Sequence, residues 1–491
     1  VLKRNVMEEK STAQIDHHFD IKAETFSQWA HKAVDWIVNY LENMNRYPVL
    51  SSVAPGDIRS KLPAMPPEQE ESFEKIFNDF EKIIIPGITH WNHPRFFAYF
   101  SITGAYPGVI AEMLSAALNV NAMLWKTSPS ATELEEVTLN WLRQMLGLPE
   151  TFDAIINDTA SVGSLCAMAA AREYAGLHIR EKGMAGLPAL TIYTSNQAHS
   201  SIEKGAIILG IGKDNVRKIN INDRFEMRTE LLTAAIEKDI AAGKKPICII
   251  GTIGTTSTTS IDPIERIADI CEHYNLWFHI DAAYGGAAAI LPEYRSIFSG
   301  WQRADSIIVN PHKWLFTPID CSVLFCRKPE VLKAAFSLIP EYLRTREDDA
   351  VKNFMDYGVA LGRRFRSLKL WMIIRALGTF KIQHVIREHI AFAGKLRKMI
   401  ELHPNFELLA PTPFSTLVFR FAKSGLDQDR LNQLNQELLD AVNATGEVFL
   451  SHTVLNSKFT IRLAIGNIKT TWVDVERAWE ILQQKADELN N

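Results

Sequence analysis

The chain has 491 residues, too many for one simple core, and its 47% hydrophobic and 22% charged residues are the proportions of folded globular proteins, not of disordered ones. Its 53 basic and 57 acidic side chains leave a net charge of −4, which excludes an electrostatic pull toward nucleic acid or an anionic membrane. Cys166, Cys248, Cys271, Cys321 and Cys326 stand in or beside apolar stretches without CxxC spacing, no apolar run approaches the ~20 residues of a membrane span, and "VLKRNVMEEKSTAQ" lacks the apolar centre of a signal peptide, so a cytoplasmic protein with reduced thiols is expected.

Residues 1–95 are expected to be helical. Phe26, Trp29, Ala33, Ile37 and Leu41 fall at helical spacing, and "EESFEKIFNDFEKII" repeats the pattern. These helices lack a small core of their own, so they are expected to wrap another surface, a partner subunit first of all. A proline- and aromatic-rich stretch, "HWNHPRFFAYFSITGAYPG", follows. "SPSATELEEVTLNWLRQMLGLPE" then reads as a helix: Ser130 and Glu133 match a capping box, Leu134, Val137, Trp141, Leu142 and Met145 form the stripe, and Gly147 with Pro149 stops it.

From there strand and helix signals alternate. "LTIY", "PICIIGT", "LWFHID", "SIIV" and "SVLFC" are near-continuous apolar runs, as in strands covered on both faces, and amphipathic segments such as "PIERIADICEHYN" separate several of them. Residues 96–380 are therefore expected to form a large α/β domain with a mostly parallel sheet, closed by a helix over "LGRRFRSLKLWMIIRALG". Residues 381–491 read as a smaller α+β domain, with "FELLAPTPFSTLVFRF", a helix near 427–443, "FTIRLAI" and a final helix.

In open α/β sheets ligands sit beyond the carboxyl ends of the strands, so the polar residues at those ends are the candidates. "LWFHIDAAYGG" ends in Asp281, followed by small residues that let a flat ligand lie close. "IIVNPHKWLFTP" delivers Asn310, His312 and Lys313 behind an apolar run. Burying an ammonium is expensive unless it is paired or neutralised, and a neutral amine is a nucleophile suited to imine chemistry. "LTIYTSNQAHSS" delivers His199, and "IINDTASVGSLC" delivers Thr159, Ala160 and Ser161 at a helix start whose free N–H groups suit a phosphate. Taken singly, each has a plainer reading: a lysine snorkelling to water, a structural cap, a structural histidine, a helix cap. Taken together, an amine, a carboxylate, a stacking imidazole and an anion cradle are what pyridoxal 5′-phosphate requires. His90 and His93 in "HWNH" have no acidic third ligand nearby, so no metal is expected, and "GIG" at 210–212 lacks the remainder of a dinucleotide motif.

"HPRFFAYF", "SPSATELE", "NQAHSS", "HIDAAYGG", "VNPHKW" and "LGRRFRSLKLW", in this order over roughly residues 20–485, resemble the group II PLP-dependent decarboxylases, in particular the aromatic-L-amino-acid decarboxylases. The resemblance implies a type I fold of the PLP enzymes, formed as a homodimer whose N-terminal helices exchange. It implies Lys313 as the amine that joins the cofactor and Asp281 as partner of the pyridine nitrogen. Ala283 would pack on one ring face and His199 stack on the other. Ala160, Ser161 and Asn310 would hold the phosphate, with Thr256 and His312 completing the shell. Tyr342, in the charged segment "FSLIPEYLRTREDDAVKN", matches the lid tyrosine that protonates the substrate carbon after carbon dioxide leaves.

By the same resemblance Trp91, Tyr99, Phe100 and Ile102 line the substrate pocket, with Asn121 and Met123 contributed across the dimer and Gly362 at a position where the histidine-specific branch has serine. Ile102 replaces the hydroxyl-bearing threonine of animal members acting on dopa, and glycine at 362 leaves room. The expected substrate is tryptophan or phenylalanine, with tyrosine and dopa next, ahead of histidine and glutamate. The expected reaction is decarboxylation to the arylalkylamine. The alternatives are an aromatic aldehyde synthase and an inactive dimeric scaffold.

Overall fold

The apolar runs in the middle of the chain lie side by side. In the computed structural model, which describes residues 20–338, 346–347 and 350–490, seven strands form one sheet: β1 (Asp153–Asn157), β2 (Leu190–Ser195), β3 (Val216–Ile219), β4 (Lys245–Thr252), β5 (Trp277–Asp281), β6 (Ser306–Val309) and β7 (Ser322–Cys326). The order is β1-β7-β6-β5-β4-β2-β3, and β7 alone runs against the others. β2, β5, β6 and β7 are buried at every position, which is why their sequences are continuously apolar. The helices Ala160–Tyr174, Thr229–Ala241 and Ile264–Tyr274 pack on this sheet.

Two local expectations shift. The helix Pro129–Leu146 is capped two residues earlier than expected: Ser128, not Ser130, accepts the first-turn N–H, from Ala131, and Glu133 instead accepts from Trp125 Nε1 at 2.8 Å. Gly147, at φ 72°, ends the helix as expected. The long helix begins only at Ser367 and is broken at Gly378 (φ 67°). The "LGRRFR" stretch stays outside it because Arg363 is drawn into the core, where it bonds Ala122 O, Ile156 O and the Glu135 carboxylate.

A second sheet, antiparallel, has the order β10-β11-β9-β8, from β8 (Phe406–Leu408), β9 (Thr416–Phe421), β10 (Ser451–Leu455) and β11 (Lys458–Ala464). Leu417, Phe419, Ile461 and Leu463 point from it into a core shared with Leu438 and Trp479 of the two C-terminal helices.

Residues 20–47 and 52–88 form a separate unit. Within it Trp29 stacks on Phe73 at 4.6 Å and Trp36 meets Phe80 edge-on at 4.9 Å. Of its described side chains only Leu41 and Met44 are fully buried, while Phe26 is 62% exposed and Val38 56%. The helices are thus amphipathic without a core of their own. No helix among the described residues is long and apolar enough to cross a membrane, and all five cysteines are buried and unpaired.

Candidate active site

Parallel strands ending together bring their polar residues together. Asp281 ends β5, Thr252 ends β4, and Asn310 to Lys313 follow β6 as a short helical turn. His199 lies between β2 and the helix Ser201–Ile208, and Ala160 and Ser161 open the helix after β1. These residues, with Thr159, Thr256, Ala283, Tyr284, His312 and Phe100, line one cavity of about 180 Å³. All nine expected cofactor residues converge on it, although they are scattered over 154 positions of sequence (160 to 313).

The backbone fixes several of them directly. Ala283 N–H donates to Asp281 Oδ1 at 3.1 Å, Asn310 N–H to Ala283 O at 3.1 Å, and Lys313 N–H to Asn310 O at 3.0 Å, so carboxylate, small wall and amine form one hydrogen-bonded chain. Ser322 donates to Asn310 Oδ1 and Cys321 N–H to His312 Nδ1. Ser201 N–H donates to His199 Nδ1, which places the proton of the neutral imidazole on Nε2. Close packing is permitted by glycine: a Cβ on Gly285 would sit 2.6 Å from Ile253 O.

The electrostatics favour uncharged bases. Burial pushes the Lys313 amine below its ordinary range, with Arg462 reinforcing the shift and Asp281 opposing it. Desolvation likewise lowers His199 against Asp281, and burial with the adjacent Lys313 takes His312 to about 4. A lowered amine pKa enlarges the neutral fraction, which is the nucleophilic form.

A second cavity of about 300 Å³ adjoins the first, sharing Lys313, His199, Thr256 and Phe100, and is walled by Trp91, Tyr99 and Ile102. Tyr99, in a left-handed conformation (φ 51°), stacks on Trp91 at 5.7 Å. Phe100 stacks on Tyr284 at 3.9 Å, with Lys313 Nζ 5.0 Å from its ring. The four expected aromatic-pocket residues are therefore together. Asn121, Met123 and Gly362 are not with them. Asn121 touches Met123 and accepts from Arg363 N–H, beside Gly362 and outside the walls of both cavities. Tyr342 lies outside the described residues.

Sequence reasoning missed three groups. Arg462, on β11, is 3% exposed and lines the second cavity. It donates to Tyr99 O and lies 4.4 Å from the Phe100 ring, and its Nε and Nη2 have no protein partner. Its only signal was a cation inside an apolar strand, "FTIRLAI". β10 adds Ser451, His452 and Thr453 to the wall, and Thr252 adds a buried hydroxyl to the first cavity. Neither carried a motif.

A flat-ring cavity with a nucleophilic amine, a facing carboxylate, an imidazole and an uncapped helix start defines a pyridoxal-phosphate enzyme of the type I fold. The chain belongs to the pyridoxal-dependent decarboxylases: residues 55–422 match the pyridoxal-dependent decarboxylase conserved domain. It is 38% identical to tyrosine decarboxylase 4 of Petroselinum crispum, over 99% of this chain and 97% of the relative. It is also 38% identical to phenylacetaldehyde synthase of Arabidopsis thaliana, over 95% and 97%. The structure of the Oryza sativa TDC with PLP and tryptamine superposes with a TM-score of 0.93 at 34% identity, covering 96% of this chain and 99% of that one. The protein is accordingly a PLP-dependent carboxy-lyase.

Proposed function

We propose that the enzyme removes carbon dioxide from an aromatic L-amino acid, tryptophan or phenylalanine before tyrosine or dopa, and releases the arylalkylamine. The observation that carries this reading is the aromatic cavity of Trp91, Tyr99 and Phe100 opening onto Lys313. With Arg462 taken by the first carboxylate, a glutamate side chain would set its second against Ile102 and Phe100. When bound, pyridoxal phosphate supplies an electron sink for the bond that breaks.

The residues present fit that group. The helix start at Ala160 and Ser161 has no side-chain cap, so its N–H groups are free to hold a phosphate. Asn310, held by Ser322 at Oδ1 and 3.3 Å from His312 Nε2 through Nδ2, has a second Nδ2 hydrogen to add. Asp281 holds the ring nitrogen's proton and Ala283 supports the ring from one side. His199, with its proton on Nε2, covers the other face, and Thr256 and His312 close the rim. Lys313, the amine that lines this cavity, would hold the cofactor. Arg462, with two unpartnered donors, orients the substrate carboxylate, and the aromatic walls exclude water.

A second copy of the chain completes the site in this reading. Ile110, Met113, Leu114 and Leu118, on the helix Tyr106–Leu118, are each at least 40% exposed, which suits an interface between subunits. Residues 1–95 then serve dimerisation, 96–380 bind the cofactor, and 381–491 form the small domain. Asn121, Met123 and Gly362 would reach the partner's substrate cavity. Five unpaired cysteines suit the cytoplasm.

The aldehyde-forming alternative is favoured by one relative, the phenylacetaldehyde synthase. The two outcomes part at the proton delivered to the substrate carbon, a role we assign to Tyr342. Incubation with a panel of amino acids and mass analysis of products decides: amine is expected as the main product, and Tyr342→Phe is expected to shift output to aldehyde, with dioxygen consumed and ammonia and hydrogen peroxide released. Aldehyde from the unaltered enzyme, or unchanged amine from the variant, would remove Tyr342 from that role.

A further inference from the structure

Thr252 is anchored more completely than any catalytic scheme so far requires. Its backbone N–H donates to Asp262 Oδ2 at 2.8 Å and its carbonyl accepts from Asp262 N–H at 2.9 Å. Asp262 is itself 1% exposed and also holds Met227 N–H at 2.8 Å. In the parallel pairing of β4 with β5, Thr252 stands directly opposite Asp281, and both line the first cavity. Only the side-chain hydroxyl is left over: Thr252 is 4% exposed and its Oγ1 has no protein partner.

Burying a hydroxyl without a partner is unfavourable, and valine has nearly the same shape and at least as strong a preference for strands. Threonine at this position therefore weakens the empty protein unless something in the working enzyme satisfies it. The neighbour in register is a carboxylate. Asp281 lines the same cavity, and its Oδ1 already accepts from Ala283 N–H.

We propose that Thr252 is a positioning residue for Asp281: with the cofactor in place its hydroxyl donates to the Asp281 carboxylate and fixes the plane in which that carboxylate meets the ring nitrogen. The inference rests on the assignment of Asp281 to that nitrogen.

Full-length Thr252→Val, Thr252→Ser, Asp281→Ala and the Thr252→Val/Asp281→Ala double variant are stripped of cofactor and titrated with pyridoxal phosphate by absorbance. Thermal midpoints are recorded with and without saturating cofactor. One net hydrogen bond corresponds to an affinity loss of about three- to tenfold for Thr252→Val, while Thr252→Ser, which keeps the donor, binds within about twofold of the unaltered protein. The empty Thr252→Val protein melts at the same temperature or higher, since an unsatisfied hydroxyl has been removed, and its midpoint rises less on loading. In the Asp281→Ala background, Thr252→Val has no further effect. Unaltered affinity in Thr252→Val, a lowered midpoint of its empty form, or an undiminished effect without Asp281 would each overturn the proposal. Unaltered affinity in Asp281→Ala would instead remove the assignment on which it rests.

Discussion

Gly362→Ser tests whether the substrate cavity is shared between subunits. Within its own chain Gly362 is exposed, has no positive φ, and a Cβ there would meet only Asn121 Nδ2, at 4.0 Å. The fold should therefore tolerate serine, with a stability change inside about 0.5 kcal/mol by urea unfolding. In the shared-cavity reading the serine side chain instead intrudes on the partner's ring-binding space. Excess steric volume of one or two atoms is worth about 1–3 kcal/mol, so kcat/KM for tryptophan should fall roughly tenfold or more relative to phenylalanine. Mixed dimers sharpen the test. Pair one Lys313→Ala chain with one Gly362→Ser chain, separated by different affinity tags: the only working lysine then belongs to the serine chain and faces the partner's glycine. Such dimers should keep the unaltered tryptophan preference, whereas Gly362→Ser homodimers lose it. Equal losses for all substrates, or mixed dimers with the homodimer's altered preference, would refute a contact across the interface.

Lys313→Ala should abolish turnover and the visible absorbance of the bound cofactor, because no other amine among the described residues lines the cavity; covalent cofactor in the variant, seen by mass spectrometry after denaturation, would identify a different lysine. Arg363 and Glu135 form a buried ion pair at 2.6 Å, 7% and 1% exposed, so Glu135→Leu should destabilise by about 3–5 kcal/mol in urea, and adding Arg363→Met should recover much of that loss. Acid should destabilise the empty protein. Burial holds His279, His312 and His389 at about 4 and His93 at about 3, against an ordinary 6.5. Below pH 6.5 the unfolded chain takes protons that the folded one refuses, so stability falls as pH falls, by about 1.4 kcal/mol per imidazole between pH 7.5 and 5.5. Burial raises Asp262 to about 7, which works the other way by about 2 kcal/mol, leaving a net loss of roughly 3.5 kcal/mol. A flat or rising profile in that interval would contradict the buried, neutral state of these histidines.

What could be read from the sequence and what could not divide along physical lines. "SIIV" and "SVLFC" announced strands because a strand covered on both faces is apolar nearly throughout, but nothing in either run says that β7 points against β6; direction is set by the connection, here the twelve residues 310–321 through Lys313. β3 gave no signal at all. It is the sheet's edge, and Arg217 and Lys218 separate its two buried ends, leaving no apolar run to find. The residues that line the first cavity were legible because α/β geometry gathers strand ends, so position after an apolar run stands in for proximity in space. Arg462 and Thr252 belong to residue types that strands and turns use for many purposes, and only burial without a partner at a cavity wall distinguishes them. Asn121 and Gly362 stand together yet away from Lys313, outside the walls of both cavities. In the proposed reading a second chain would bring them to its own substrate cavity, and the mixed Lys313→Ala and Gly362→Ser dimers decide between that arrangement and a purely local role for the Asn121–Arg363 contact.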